Sequence, residues 1–176
     1  MISINIKIIA SCIVIIILAI WTYQRNTVWS DSVLLWRDCA TKNPQSARAM
    51  NNLGAALLAD GYNEEAMRVL DEIDKEMCEM SKKPDEIDLL CADIFYNLGC
   101  AYLINNRFEQ AIVNFEQSVV SNPGFHQAYN NMGIAYKGIG DAETAEECFK
   151  KALEIKPDFE DARENIKKLK LLDSDL

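Results

Sequence analysis

The stretch FYNLGCAY at residues 95–102 recurs as YNNMGIAY at residues 129–136, 34 residues further along the chain. Behind the two copies, AIVNF at residues 111–115 recurs as AEECF at residues 145–149 with the same spacing. Self-similarity at a fixed period of this length is typical of a chain built from successive copies of one supersecondary unit. This periodicity therefore decides the fold class.

A third and looser copy lies upstream, MNNLGAAL at residues 50–57 followed by AMRVL at residues 66–70. Apolar residues in each copy fall three, four and seven apart, which predicts amphipathic helices that pack in pairs. Gly99 and Gly133 are expected to let the partner helix approach closely, and Pro123 is expected to end one unit before the next. Because a single pair cannot bury its apolar face, stability should come from stacking of neighbouring units.

The complete pattern is aromatic-x-x-Leu-Gly-x-x-Tyr, then Ala-x-x-x-Phe, then a closing Pro. It resembles the tetratricopeptide repeat (TPR). The resemblance implies an all-α chain that folds as a TPR αα-solenoid and ends in a C-terminal capping helix. It also implies a concave wall made of the first helix of each pair, and a role in protein–protein interaction.

Charge and composition narrow the possible functions. The chain of 176 residues carries 27 Asp and Glu against 18 Lys and Arg, a net charge of −9, which argues against binding nucleic acid through a basic face. One His and no CxxC motif leave little material for a metal site, and no catalytic triad or phosphate-binding loop is recognisable. The sequence therefore predicts a protein that is not an enzyme and needs no cofactor or metal.

The N-terminal segment has a different character. Residues 8–23, IIASCIVIIILAIWTY, are uncharged, and together with residues 2–7 they are long enough as a helix to cross a bilayer core of about 30 Å. A cleaved signal peptide is the alternative, but the small residues needed before the cut are poorly matched. A lipoprotein site at Cys12 is rejected because the apolar run follows it. We therefore expect a transmembrane signal anchor over residues 1–24.

This anchor implies a single-pass membrane protein with the lipid bilayer as one partner and the repeat body on the extracytoplasmic side. The bilayer contacts would be made by five apolar or aromatic side chains, Ile8, Ile13, Ile16, Trp21 and Tyr23.

The repeats divide the rest of the chain. Residues 25–46 are interpreted as the second half of a repeat, and residues 158–176 as a capping helix and tail with Asp158 as N-cap. Full repeats are predicted at residues 47–91, 92–125 and 126–157. The first is eleven residues longer than the period, and the excess falls in Ser81–Cys91. It predicts a longer loop and longer flanking helices, or alternatively a binding insert.

An asparagine recurs just before the Leu-Gly slot of each unit. An amide row of this kind can hydrogen-bond the backbone of an extended peptide, although the same amides could instead serve neighbouring helix ends. The carboxylate clamp that other TPR proteins use would need Lys and Arg on this wall, where Asn51, Ala55, Gln127 and Asn131 stand. The predicted peptide-binding groove therefore consists of Asn52, Asn97, Asn131 and Asn165, bordered by Tyr96, Gln127 and Asn130.

A second resemblance lies at the junction. Residues 22–38, TYQRNTVWSDSVLLWRD, together with residues 43–54 resemble the link between the membrane part and the TPR tail of polytopic TPR-bearing glycosyltransferases. The catalytic membrane part of that family is not in this sequence. The main hypothesis is a membrane-anchored TPR scaffold, acting as an assembly factor or structural subunit of a membrane-associated complex. The alternative is the non-catalytic, substrate-binding TPR tail of a membrane glycosyltransferase system.

Overall fold

The computed structural model of the protein describes residues 2–73 and 89–174, and their side chains at 13–23, 25–26, 28–73 and 89–171. Within these ranges the chain is helical and has no strand, as an all-α solenoid requires. The helices, in chain order, are α1 (Ile2–Ser30), α2 (Ser32–Lys42), α3 (Ala47–Ala59), α4 (Asn63–Asp71), α5 (Leu89–Ile104), α6 (Phe108–Ser121), α7 (His126–Gly138), α8 (Ala142–Ile155) and α9 (Glu160–Ser174).

Three of the helix pairs, α3–α4, α5–α6 and α7–α8, are closed by short turns of the same construction. In each turn one residue adopts a left-handed backbone conformation: Gly61 with φ 81°, Asn106 with φ 56° and Gly140 with φ 86°. Glycine has no Cβ to clash in this region, and Asn tolerates it better than most residues. The turns thus reverse the chain at little steric cost and bring the two helices of a pair face to face.

Glycine at the Leu-Gly slot allows the two helices to touch. A Cβ added to Gly99 would lie 2.6 Å from Phe115 Cε1, and one added to Gly133 would lie 2.6 Å from Phe149 Cε1. Both phenylalanines are completely buried. The expectation of close helix approach at these two glycines is confirmed.

The units stack into two layers. The first helices of successive pairs, α3, α5, α7 and finally α9, contact one another in sequence, and each second helix packs between the two first helices that flank it. Because the first helices are direct neighbours, they form the inner layer of the solenoid. Apolar clusters join each pair to the next, as Leu70 and Ile73 do with Ile94 and Leu98.

The two ends of the stack are closed differently. At the front, α2 places Val33 against Leu53 and Leu57, and Arg37 forms an ion pair of 2.6 Å with Glu65 of α4. At the back, α9 buries Ala162 and Leu169 against the last pair. Helix α9 begins at Glu160, so Asp158, the predicted N-cap, lies before the capping position.

The predicted membrane anchor is wrong. Of the predicted bilayer contacts, Ile13, Ile16, Trp21 and Tyr23 lie on α1 with more than half of their surface exposed, and the side chain of Ile8 lies outside the described set. However, α1 does not end at Tyr23 but continues to Ser30 through polar residues such as Arg25 and Asn26.

In the described part of the chain, no helix combines the length and apolar character required to cross a membrane. The single-pass localisation, the extracytoplasmic placement and the bilayer as a partner depended on this anchor, and they are corrected with it.

The predicted length excess falls mostly outside the described residues, since only its last part, Leu89–Cys91, is described. These residues are helical. Helix α5 therefore starts earlier in its unit than α3 and α7, which begin at Ala47 and His126, the slots that correspond to Ala92.

Candidate peptide-binding groove

The inner layer presents one continuous surface, which we call the inner wall and define by the helices α3, α5 and α7, with α9 at its end. The predicted asparagine row lies along it, one residue on each helix: Asn52, Asn97, Asn131 and Asn165. All four side chains are partly buried.

The last three asparagines form a regular bonding pattern between units. Asn97 Nδ2 donates to Asn51 Oδ1 over 2.9 Å, and Asn165 Nδ2 donates to Asn130 Oδ1 over 3.0 Å. Each acceptor stands one residue before the asparagine slot of the preceding unit. Each of these amides thus reaches back by one unit, and we call this pattern the amide relay.

Asn131 is the centre of the relay. Its Nδ2 donates to Tyr96 Oη over 3.3 Å and to Cys100 Sγ over 3.4 Å, and its Oδ1 accepts from Asn130 Nδ2 over 3.2 Å. Both N–H groups and one oxygen lone pair of this side chain are therefore used within the protein. Asn130 itself is only 4% exposed, which places it below the wall surface.

Asn52 differs from the other three. The structure gives its side-chain amide no hydrogen-bond partner among the residues it describes. The relay explains this difference, because α3 is the first inner helix of the stack and α1 packs mainly on α2. Asn52 therefore presents on the wall a side-chain amide whose two donors and one acceptor are not used by the described residues.

The middle of the wall is aromatic and uncharged. The Tyr96 ring lies 4.7 Å from the Phe125 ring and 6.0 Å from the Phe115 ring, measured between centroids. Burial raises the pKa of the Tyr96 phenol far above its ordinary range, and burial also raises the pKa of the Cys100 thiol. Both groups are therefore neutral at physiological pH and serve as hydrogen-bonding and packing surface.

Gln127, the remaining predicted groove residue, is half-buried near the start of α7. The corresponding slots of the two earlier units hold Arg48 and Asp93, both exposed. Burial raises the pKa of the Asp93 carboxyl, so its charged form is mildly disfavoured at this edge of the wall. We call these three residues the edge slot.

Two relay members, Asn51 and Cys100, are missing from the sequence-based site. Asn51 was recognisable in principle, since Asn51, Tyr96 and Asn130 occupy the same slot in successive units. Cys100 carried no such signal, because a half-buried thiol is an ordinary apolar filler of helix stacks. Within the described chain, no group of three or more His, Cys, Asp or Glu side chains gathers in a way that could hold a metal ion.

Family comparisons agree with this geometry. Three models described as tetratricopeptide repeat match residues 46–73, 92–124 and 126–159, together more than half of the chain. The matched segments coincide with the pairs α3–α4, α5–α6 and α7–α8.

Curated relatives share the repeats over part of their length. The heat shock protein STI1 of Saccharomyces cerevisiae is 29% identical over 54% of this chain and 15% of its own length. The protein PYG7 of Arabidopsis thaliana is 28% identical over 67% of this chain and 37% of its own. A peroxisomal targeting signal receptor of Candida albicans is 22% identical over 73% of this chain and 27% of its own. The chain thus spans well under half the length of these relatives.

Solved structures show the same fold. MamA is 19% identical with a TM-score of 0.67, covering 84% of this chain and 80% of its own. The first TPR domain of Spaghetti (RPAP3), solved with a bound HSP90 peptide, is 20% identical with a TM-score of 0.59, covering 74% of this chain and 94% of its own. Stacked helix pairs, the glycine contacts and the three model matches agree that this chain belongs to the tetratricopeptide repeat family.

Proposed function

We propose that the inner wall binds an extended peptide segment of a partner protein, and that the chain acts as an assembly factor or structural subunit of a protein complex. The observation that carries the proposal is the unpartnered amide of Asn52 at the head of the asparagine row, since among the described residues it has no internal bond to give up. An amide of this kind can bond one N–H and one C=O of an extended backbone at once.

We propose different roles for the four asparagines on the basis of the relay. Asn52, Asn97 and Asn165 are able to contact a ligand, because the bonds that Asn97 and Asn165 donate each use only one of their two donors. Asn131 and Asn165 hold neighbouring units in register, and Tyr96 and Gln127 border the path of the peptide. Asn130 supports the wall from below.

The proposed organisation follows the period: a half repeat at residues 25–46, repeats at 47–91, 92–125 and 126–157, and a cap and tail at 158–176. Two comparisons support the binding role in general terms. A solved TPR domain of this fold holds a peptide, and the Candida albicans relative is named as a receptor for a targeting signal. The absence of catalysis and the resemblance of the junction to TPR-bearing glycosyltransferases stay predictions.

The test is affinity purification with the full chain as bait, comparing the unchanged protein with Asn52→Ala. We expect partner recovery to fall about tenfold with Asn52→Ala, as the loss of a buried hydrogen-bonded contact of roughly 1.4 kcal/mol requires. Thermal stability should be unchanged, because Asn52 has no internal partner within the described chain.

Asn114→Ala is the matched control. Asn114 lies on α6, in the outer layer, and donates to Gln110 O of its own helix. Its replacement should leave partner recovery unchanged. Equal recovery with Asn52→Ala and Asn114→Ala would show that the inner wall is not the binding surface.

A further inference from the structure

Charge is distributed very unevenly between the inner and outer helices of the three pairs, α3–α4, α5–α6 and α7–α8. The three inner helices α3, α5 and α7 carry only Arg48, Asp93 and Lys137 as charged residues. The outer helices α4, α6 and α8 carry many more acidic than basic residues. Their acidic residues are Glu64, Glu65, Asp71, Glu109, Glu116, Glu143, Glu146, Glu147 and Glu154, against Arg68, Lys150 and Lys151.

The few charges on α3, α5 and α7 do not form a row of one sign. The edge slot holds a positive, a negative and a neutral side chain in successive units, namely Arg48, Asp93 and Gln127. Ala55, Cys100 and Ile134 lie three residues after the asparagines on the same helices, and they are uncharged and partly buried. His126, at the start of α7, has its pKa lowered by burial and by the charge of Lys156, so it is neutral at physiological pH.

A charged side chain laid against the asparagines and the aromatic middle of the wall, on α3, α5 and α7, would lose hydration and find no counter-charge beside it, which is costly. An acidic segment would also approach against the field of a chain with net charge −9. An uncharged side chain pays neither cost, because amides, a phenol and aliphatic groups can meet both its polar and its apolar atoms.

We infer that the inner wall selects an extended peptide whose wall-facing side chains are uncharged, and that it rejects acidic peptides. This inference rests on the proposed function and adds the chemical class of the partner. The negative charge of the outer layer repels acidic peptides, while the wall itself binds an uncharged peptide segment through hydrogen bonds and packing.

The experiment selects binders to the full chain from a random peptide library displayed on phage, and compares the composition of enriched and input peptides. We expect Asp, Glu, Lys and Arg together to be depleted at least about twofold, because each would be desolvated without a counter-charge. An enriched synthetic peptide should bind with an affinity that changes less than about twofold between about 50 and about 500 mM NaCl.

Two double variants with the same change in net charge test where the selectivity arises. Ala55→Lys with Gln127→Lys places two bases on the wall, and it should now enrich Asp and Glu at least about threefold. Val113→Lys with Val120→Lys adds the same charge on exposed positions of α6 in the outer layer. It should select the same neutral peptides as the unchanged protein.

Two failures are distinguishable. If the unchanged protein enriches acidic or strongly basic peptides whose binding weakens with salt and with Asn52→Ala, the neutral-segment inference is overturned while the peptide-binding wall stands. If no peptide is enriched over the empty support, or if enriched peptides ignore Asn52→Ala, the proposed function fails and the inference fails with it.

Discussion

At the scale of single residues, the contacts beneath the glycine slot set how closely the helices of a pair can approach. Gly54 faces Leu70, Gly99 faces Phe115 and Gly133 faces Phe149, so the same slot meets a large buried side chain in each unit. Gly133 is the most constrained, because an added Cβ would also lie 3.0 Å from the carbonyl oxygen of Ala145. A side chain can rotate away, whereas this oxygen belongs to the backbone.

Gly133→Ala is therefore expected to lower the free energy of unfolding by about 1–3 kcal/mol, the usual range for overpacking a core. Equilibrium urea unfolding measures the change. Gly124→Ala is the matched control, since its added Cβ would come no closer than 3.4 Å to Asn122 Oδ1. The control should stay within about 0.5 kcal/mol of the unchanged protein. Equal effects of the two substitutions would contradict close approach at Gly133.

His126 predicts a pH dependence of stability. Its ring meets Phe159 edge-on at 4.8 Å, and its pKa is lowered first by burial and then by Lys156, with Asp158 acting in the opposite sense. The folded protein thus favours neutral His126, so this residue changes stability little at a pH above its ordinary pKa of about 6.5. As pH falls below that value, protonation costs more in the folded state than in the unfolded state, and stability declines.

Thermal unfolding of the unchanged protein and of His126→Gln, measured from about pH 7.5 to about pH 5, checks this sign. The melting temperature of the unchanged protein should fall more steeply over this interval, because the glutamine cannot take up a proton. Parallel curves for the two proteins would show that His126 does not contribute.

At the scale of helices, the amide relay couples each unit to the one before it. Asn165 of α9 donates to Asn130 of α7, and Asn131 of α7 donates to Tyr96 of α5. Because Asn130 is only 4% exposed, its carbonyl oxygen depends on protein donors for hydrogen bonding. The relay therefore stabilises helix stacking in addition to the apolar clusters.

Asn165→Ala should lower the free energy of unfolding by about 1–3 kcal/mol, because it removes a donor from a buried acceptor. In a double-mutant cycle with Asn130→Ala, the two changes should couple by about 1 kcal/mol, since they remove the two ends of one bond. Urea unfolding of the four proteins supplies the energies. Asn114→Ala, which loses only a bond within its own helix, should change stability little. Additive effects of Asn165→Ala and Asn130→Ala would contradict the relay.

The periodicity of the sequence predicted which positions are equivalent in successive helices, but it did not predict the hydrogen bonds that their side chains form. A fixed period places Gly99 and Gly133 on equivalent slots, and it placed the asparagines on successive inner helices. It could not give the direction in which Asn97 or Asn131 points, because that depends on the rotation between neighbouring units. The anchor prediction failed for another reason: an apolar run marks only a candidate segment, and no helix in the described part of the chain is long and apolar enough to cross a membrane. Residues 74–88 lie outside the described chain, so most of the predicted insert stays a prediction.

At the scale of the whole molecule, the helices at the two ends of the stack, α1 and α9, contribute unequally to its stability. Helix α1 is separated from α2 by Asp31, which caps α2 by accepting from Leu34 N, and its main contact is with α2 alone. Its side chains at Ile13–Ile17 are all more than half exposed. Helix α9, in contrast, covers Phe149 and Ala152 of the last pair and supplies the relay donor to Asn130. In a repeat stack, stability comes from interfaces between neighbours. Of the two terminal helices, α9 completes such an interface and α1 does not.

Deletion of α1 and deletion of α9 are therefore expected to differ in their effect on stability. A chain that begins at Asp31 keeps the α2 cap and every described cluster, so its melting temperature should stay within about 4 °C of the full chain. A chain that ends at Pro157 exposes Phe149 and leaves Asn130 without its donor, so its melting temperature should fall by on the order of 10 °C. Thermal melts followed by far-ultraviolet circular dichroism measure both. A larger loss from the N-terminal deletion than from the C-terminal one would contradict this assignment, because it would show that the contact of α1 with α2 contributes more to the stack than α9 does.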